Sequence, residues 1–520
     1  MLRLALRVFV TCLATATNAL YIWPSPPLDA LEAMRFDQDR NGITDLIQPC
    51  SLFIFAAPGA GRSNAADWIR TAYHDMATHN ITDGTGGMDA SIRFAEEQAR
   101  AENVGDGFQN TLAALLGLST RYISIADVLA AGTIIAFENC GGPEIAFRGG
   151  RVDASEPNAP GVPEPQQDLE SHTAAFARQG FTQTEMIGLV ACGHTFGGVQ
   201  QALFPQIVPV LNDTNNAQSV SHFDSTFVTF DNNVATEYIS GTTQNPLVVG
   251  LNDTTNSDKR IFASDGNATM ASFASSASLF ASTCADLITR MVDTVPAGVQ
   301  LTDVITPLPV KPDLIDLTLS VDQKTMQFTG MLRVWNLPQT TTHDVRLLWD
   351  DRAGGTNNVS LVQSRVATSS GGRATATWFS FPTLTLDVTA GITNMLFAID
   401  NAIEDQGGVG FAIQDDLIWS NTSCITEGAT VTGKLAIAVR NDLAPTRVYA
   451  ESLGRDAVDR PVVVETDFTL QPGAANALYA VWSGAIANGQ QDFTIGAEIG
   501  GVKVTRNDIR SVFDFSPCAT

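Results

Sequence analysis

The stretch Asp67-Trp68-Ile69-Arg70-Thr71-Ala72-Tyr73-His74-Asp75 decides how this chain is read. On a helix Arg70 and His74 stand at i and i+4, so they share one side. A fixed cation beside an imidazole suits cleavage of a neutral O–O bond. Neutral His74 takes a proton and returns it to the leaving oxygen, while Arg70 stabilises the charge that develops there. A second stretch, from Glu185 to Cys192-Gly193-His194-Thr195, is an apolar helix ending in Gly-His-Thr. A His at that point can ligate iron over a dry pocket. Each stretch alone has a plainer reading: a surface Arg beside a packed core His, or a terminal His favoured by the helix dipole.

Helical periodicity surrounds both. Apolar residues at i, i+3 and i+4 predict helices over 61–76, 124–138, 182–193 and 271–292. Ser124-Ile125-Ala126-Asp127 and Thr182-Gln183-Thr184-Glu185 open two of them with capping-box patterns. From about residue 312 the texture changes to short alternating or β-branched runs, such as Met331–Trp335, Val345–Trp349, Ala374–Trp378 and Leu435–Val439. Pro296, Pro307, Pro309 and Pro312 mark the boundary. The organisation expected is a mainly α domain over 45–300, a Pro-rich linker over 301–312, and an all-β, sandwich-like region over 313–520, as one module or two.

At the N-terminus, Arg3 and Arg7 precede and interrupt a short apolar run that ends in small residues at 17–19, so 1–19 is read as a secretion signal and 20–44 as a propeptide-like segment. Cys12 lies in the signal. The other six Cys (50, 140, 192, 284, 424, 518) include no C-x-x-C pair, which argues against zinc ribbons and thioredoxin-type redox. Sequons at Asn80, Asn212, Asn252, Asn267, Asn358 and Asn421 fit an extracellular glycoprotein. The 520 residues carry 30 Lys and Arg against 55 Asp and Glu, a net charge of −25. Nucleic acid and anionic lipid are poor partners for such a surface. Mean hydropathy of +0.06 and no later long apolar run predict a packed, soluble chain with no membrane segment. H-E-x-x-H, G-x-S-x-G and P-loop motifs are absent.

Arg-x-x-aromatic-His-Asp followed downstream by Gly-His-Thr resembles the plant, fungal and bacterial haem peroxidase superfamily, its secreted fungal class II branch most. The resemblance spans about 45–295. It includes Gly87-Met88-Asp89-Ala90-Ser91-Ile92-Arg93-Phe94, Ala101-Glu102-Asn103-Val104-Gly105, the Asn139-Cys140-Gly141-Gly142 to Gly149-Gly150-Arg151 stretch, and Pro163-Glu164-Pro165. It implies haem b, with His194 as axial iron ligand and Asp258 as the carboxylate partner of that imidazole, Asp265 being the alternative. Arg70 and His74 would drive O–O cleavage, with Asn103 accepting the Nδ1–H of His74 so that Nε2 stays free as the base. Tyr73 stands where the family has Phe or Trp, so its phenol could donate a hydrogen bond or be oxidised. Phe223 is the proximal aromatic.

The same resemblance implies two calcium ions: a distal one held by Asp75, Gly87, Asp89 and Ser91, and a proximal one held by Thr195, Asp224, Thr226, Thr229 and Asp231. Hard oxygen donors suit that ion. Manganese-oxidising members carry two Glu and an Asp where this chain has Ala66, Arg62 and Gln200, and lignin peroxidases carry a Trp where it has Leu189. What remains is a secreted peroxidase that takes hydrogen peroxide and oxidises small phenols or aromatic amines in one-electron steps. Six Cys allow 15 pairings; Cys50–Cys140 fits a family bridge, with Cys192–Cys284 and Cys424–Cys518 as the remaining choice. Two rival readings stay open: a haem-less, calcium-stabilised wall or adhesion glycoprotein, and a catalase-like haem protein. The β region could contact polysaccharide or cell wall, mediate dimerisation or cap the haem domain.

Overall fold

The computed structural model describes residues 21–426, 431–486 and 490–518. The expected signal at 1–19, with Cys12, lies outside them. The centre of the helical part is Ile125–Asn139, a helix buried on nearly every side because Ala, Ile, Val and Leu fill its positions. Ser124 caps it through the Asp127 N–H, and Asp153 accepts the N–H groups of Ile125 and Ala126 at 3.0 and 2.8 Å. These bonds satisfy donors that a buried helix start would otherwise leave orphaned. The helix bearing Arg70 and His74, Asn64–Met76, packs on it. Trp68 reaches the surface of Gly132, where an added Cβ would meet Leu115 at 2.9 Å and Trp68 at 3.5 Å.

The helix Gln183–Gly193 starts with the full capping box of Thr182 and Glu185. It packs against Ala277–Asp293 and is joined to it by Cys192–Cys284. The continuous helix expected over 271–292 is two helices, Ala268–Ser275 and Ala277–Asp293. Ser276 breaks it: its backbone is extended, and its hydroxyl accepts the Leu279 N–H. This is the local competition by which Ser favours caps over helix interiors. All three disulfides join the expected pairs: Cys50–Cys140, Cys192–Cys284 and Cys424–Cys518.

The β region is two cores sharing one sheet. A ten-stranded sheet runs through Val310–Leu319, Thr325–Trp335, Leu417–Ser420 and Thr432–Arg440. In the last two of these strands, Ile418, Ala436 and Ala438 enter one core, and Leu417, Trp419, Leu435, Ile437 and Val439 enter the other. A five-stranded sheet built on Val345–Asp350 and Asn394–Ile399 covers the first face; one built on Arg447–Arg455 and Asp492–Ile499 covers the second. The unbroken apolar run Leu435–Val439 is the sequence mark of a strand buried on both faces.

The segment read as propeptide-like is built into the molecule. Helix Pro26–Phe36 puts Leu31 and Met34 into the helical core and turns Glu32 toward the β region. There Glu32 accepts Lys311 Nζ at 2.7 Å and Arg333 Nη1 at 3.0 Å, and Arg333 also donates to Asp37 at 2.7 Å. These two cations hold the buried Glu32 carboxyl down at about 2. The Pro-rich boundary is ordered too. Ile305 donates its N–H to Phe147, Leu308 to Glu32, and the first strand of the β region begins at Val310. Among the described residues, no helix is long and apolar enough to cross a membrane.

Candidate active site

Arg70 and His74 face a cavity of about 690 Å³ whose other wall carries His194. On the first side, Asn103 donates through Nδ2 to the carbonyl of Glu97 at 2.8 Å. Its amide oxygen therefore faces His74 Nδ1, at 2.7 Å. An amide oxygen only accepts, so His74 carries its proton on Nδ1 and leaves Nε2 as a lone pair. Burial, with the Arg70 charge beside it, pushes His74 down to about 3. The imidazole is thus held neutral, as a base must be. Burial lowers Arg70 to about 10, so it stays cationic. Its guanidinium donates to the Val104 carbonyl at 2.8 Å and lies over the Phe108 ring at 4.4 Å.

On the opposite side, His194 ends its helix. Its Nδ1 meets Asp258 Oδ2 at 2.7 Å, and its ring stacks on Phe223 at 3.9 Å and 10°. Asp265 does not reach it; that carboxylate caps Thr269. A carboxylate at Nδ1 fixes the proton there and turns the Nε2 lone pair outward, the arrangement of a metal-bound imidazole. Tyr73 lies along the cavity wall, stacked on Phe176 at 5.9 Å. Its hydroxyl is buried toward Gln179 without a direct hydrogen bond among the described residues. Arg62 is engaged by Asp67 and Asp106, both at 2.8 Å, and Gln200 by Gln218.

Residues 52–286 match the family model described as Peroxidase. This region is a haem peroxidase domain. Among similar proteins is a WSC domain-containing protein of Arthroderma benhamiae, 38% identical over 65% of this chain and 47% of the relative. L-ascorbate peroxidase 5 of Arabidopsis thaliana is 31% identical over 26% of this chain and 49% of its own length. A putative heme-binding peroxidase of Aspergillus fumigatus is 31% identical over 30% and 51%. The chain spans about half the length of the curated relatives it matches. Haem suits the peroxidase domain's cavity. The side walls are apolar, with Ile69, Leu189, Phe196 and Ile288 among them, and the free lone pair of His194 opens into it. Among the described residues, none beyond Met291 lines the cavity.

The two loops expected to bind calcium differ. Around Asp75, Oδ2 accepts the N–H groups of Asp89 and Ala90 at 3.0 and 2.8 Å, and Oδ1 that of Ile92 at 3.1 Å. The Asn158 amide donates to both oxygens of Asp89, at 3.0 and 2.9 Å, and to Ser91 Oγ at 2.9 Å. Gly87 donates its N–H to Thr78. In the expected distal set of Asp75, Gly87, Asp89 and Ser91, the side-chain oxygens of Asp75, Asp89 and Ser91 thus accept protein donors. Asn158 was missed because it sits in a Pro-rich loop far along the chain. Buried Glu97 was missed as well. It accepts the Asn158 N–H and is raised to about 7, chiefly by burial.

The proximal set is closer to a cation cradle. Asp224 Oδ1 accepts the Thr226 N–H, while Oδ2 is buried with no partner among the described residues. Burial, with Asp231 and Glu237 nearby, raises Asp224 to about 7. Thr195 Oγ1 donates to the Asp231 carbonyl, and Thr229 closes a turn onto Thr226. Among the described residues, no group of three or more His, Cys, Asp or Glu side chains converges as a metal site.

Proposed function

We propose that this protein is a secreted haem peroxidase that consumes hydrogen peroxide and oxidises small phenols or aromatic amines. One observation carries this reading: a neutral His74, fixed by Asn103, faces His194, fixed by Asp258, across a single cavity. His194 would hold the iron through Nε2. Haem, when bound, supplies the electrons that split the O–O bond and draws replacements from donors one at a time. His74 Nε2 would take a proton from one oxygen of hydrogen peroxide and return it to the other as that oxygen leaves. The Arg70 guanidinium stabilises the charge on the leaving oxygen. Apolar walls limit water around this transfer, which strengthens both interactions.

Calcium belongs to this reading at the proximal loop only. Asp224, Thr195, Thr226, Thr229 and Asp231 would hold it, and the orphaned Oδ2 of Asp224 supports that assignment. Export is supported by the three disulfides and by exposed sequons at Asn212, Asn252, Asn267, Asn358 and Asn421. A spectrum of the purified protein, followed by peroxide with and without a phenol, tests the proposal. A Soret band that changes with peroxide and recovers with the phenol is expected. Colourless, folded protein supplied with haem would rule it out, and oxygen release without a donor would favour catalase-like chemistry.

A further inference from the structure

Asp258 Oδ2 has a second partner besides His194. Asn245 donates to that same oxygen through Nδ2 at 2.8 Å. Asn245 is 1% exposed and tightly fixed. Its Oδ1 accepts the Leu247 N–H at 2.8 Å, its own N–H reaches Thr243 Oγ1 at 3.1 Å, and its carbonyl accepts Val248 and Val249. Phe223, the aromatic on His194, carries no donor of its own. Among the described residues, the remaining oxygen, Oδ1, has only Ser257 Oγ, at 3.5 Å.

We propose that Asn245 is a positioning residue that sets how strongly Asp258 pulls on His194. This rests on His194 as the iron ligand. A carboxylate oxygen that accepts two N–H groups shares its electron density between them. The Asn245 bond therefore weakens the acceptor offered to His194 Nδ1–H and limits the imidazolate character of the ring. Partners in this outer shell tune a metal through its ligand. Less imidazolate character favours the reduced iron, so Asn245 raises the reduction potential. The same bond also stops Asp258 from rotating away, and this purely structural role has the opposite electronic sign.

The test uses haem-loaded full-length protein and two variants. Asn245→Ser keeps a short oxygen that can still cap the Leu247 N–H but is too short to reach Asp258; Asn245→Ala removes both bonds. Each is compared with wild type by redox titration of the haem and by the iron–histidine stretching frequency of the reduced form. The expected result in both is an equilibrium for one-electron reduction weakened up to about tenfold, which is about 59 mV, with a higher stretching frequency. Asp258→Asn should shift both in the opposite direction. An unchanged or raised potential in Asn245→Ser would overturn the proposal, since a rise means Asp258 has merely come loose. A variant that no longer binds haem under conditions where Asp258→Asn still does would also overturn it, because the role would then be structural. Failure of Asp258→Asn and His194→Ala to alter the haem at all would instead remove the ligand assignment beneath it.

Discussion

On the His74 side of the cavity, both oxygens of Asp75 accept backbone N–H groups, and Asn158 closes the neighbouring Asp89 and Ser91. On the His194 side, one oxygen of Asp224 is buried without a donor among the described residues. The two loops hold similar side chains in different states of completion. A buried carboxylate left unsatisfied is costly unless a cation or proton supplies the missing partner. The His74 half completes Asp75 and Asp89 with its own donors and leaves Glu97 Oε2, behind them, without a partner among the described residues. The His194 half leaves an Asp224 oxygen open to the proposed cation, and variants on the two sides should fail in different ways.

The largest effect should come from His74→Ala. The rate of reaction with peroxide, followed at the Soret band by stopped flow, should fall by about 10²–10⁴-fold, while haem content and the resting spectrum hold. Loss of haem would break the comparison, because the His74 half would then also support the cofactor. Arg70→Leu should cost about 10²–10³-fold, the range for removing one preorganised donor to developing charge. It should also change the pH profile. In the wild type the base remains neutral until about pH 3, so the rate should hold from pH 7 to near 4 and fall below that. Without the Arg70 charge the acid limb should move up in pH, although burial keeps it below the ordinary His value. The sign for stability agrees. A His whose folded pKa lies below its unfolded value binds fewer protons when folded, so folding weakens as pH drops below about 6.5. An acid limb that stays in place in Arg70→Leu would detach Arg70 from the base.

The difference between the loops also predicts a metal count. Protein purified with calcium and then desalted should retain one ion per chain, not two, and exhaustive chelation should lower activity severalfold and weaken the Soret band. Asp224→Asn should abolish the retained ion, whereas Asp89→Asn should leave it. Two retained ions would reopen the Asp75 loop as a site. No retained ion and no effect of chelation would leave the Asp224 oxygen to a proton.

Most of the site was legible because its pieces are local. Arg70 and His74 are one helical turn apart, and Asp224 through Asp231 form one loop. The tautomer of His74 could be anticipated from Asn103 alone. What could not be read was set by distant segments: Asn158 filling the Asp89 loop, Asn245 on Asp258, and the break at Ser276, where a cap outweighed good helical periodicity. The β region was legible as strands but not as an arrangement. Alternation assigns a face, and only the pairing of Leu417–Ser420 with Thr432–Arg440 places a core on each side of the shared sheet. The segment before residue 45 looked detachable because the charges of Glu32 and Asp37 gave no hint of Arg333 and Lys311 nearly 300 residues later.

The smallest effect expected on the His74 side tests how finely that half is built. Gly105 has φ +125°, and an added Cβ would stand 3.2 Å from Arg70 Nη1. Gly105→Ala thus meets two penalties: a backbone region that suits Gly, at about 1–3 kcal/mol, and a contact that pushes the guanidinium along the cavity. The His74–Asn103 bond lies outside this contact. The peroxide reaction should therefore slow only a few-fold, the acid limb near pH 3 should stay in place, and the melting temperature should drop. A loss as large as that of Arg70→Leu would mean that a few tenths of an ångström at the guanidinium govern the step. An unchanged rate with a lowered melting temperature would mean that Arg70 acts through its charge and not its position, making the His74 half less finely set than its hydrogen bonds suggest.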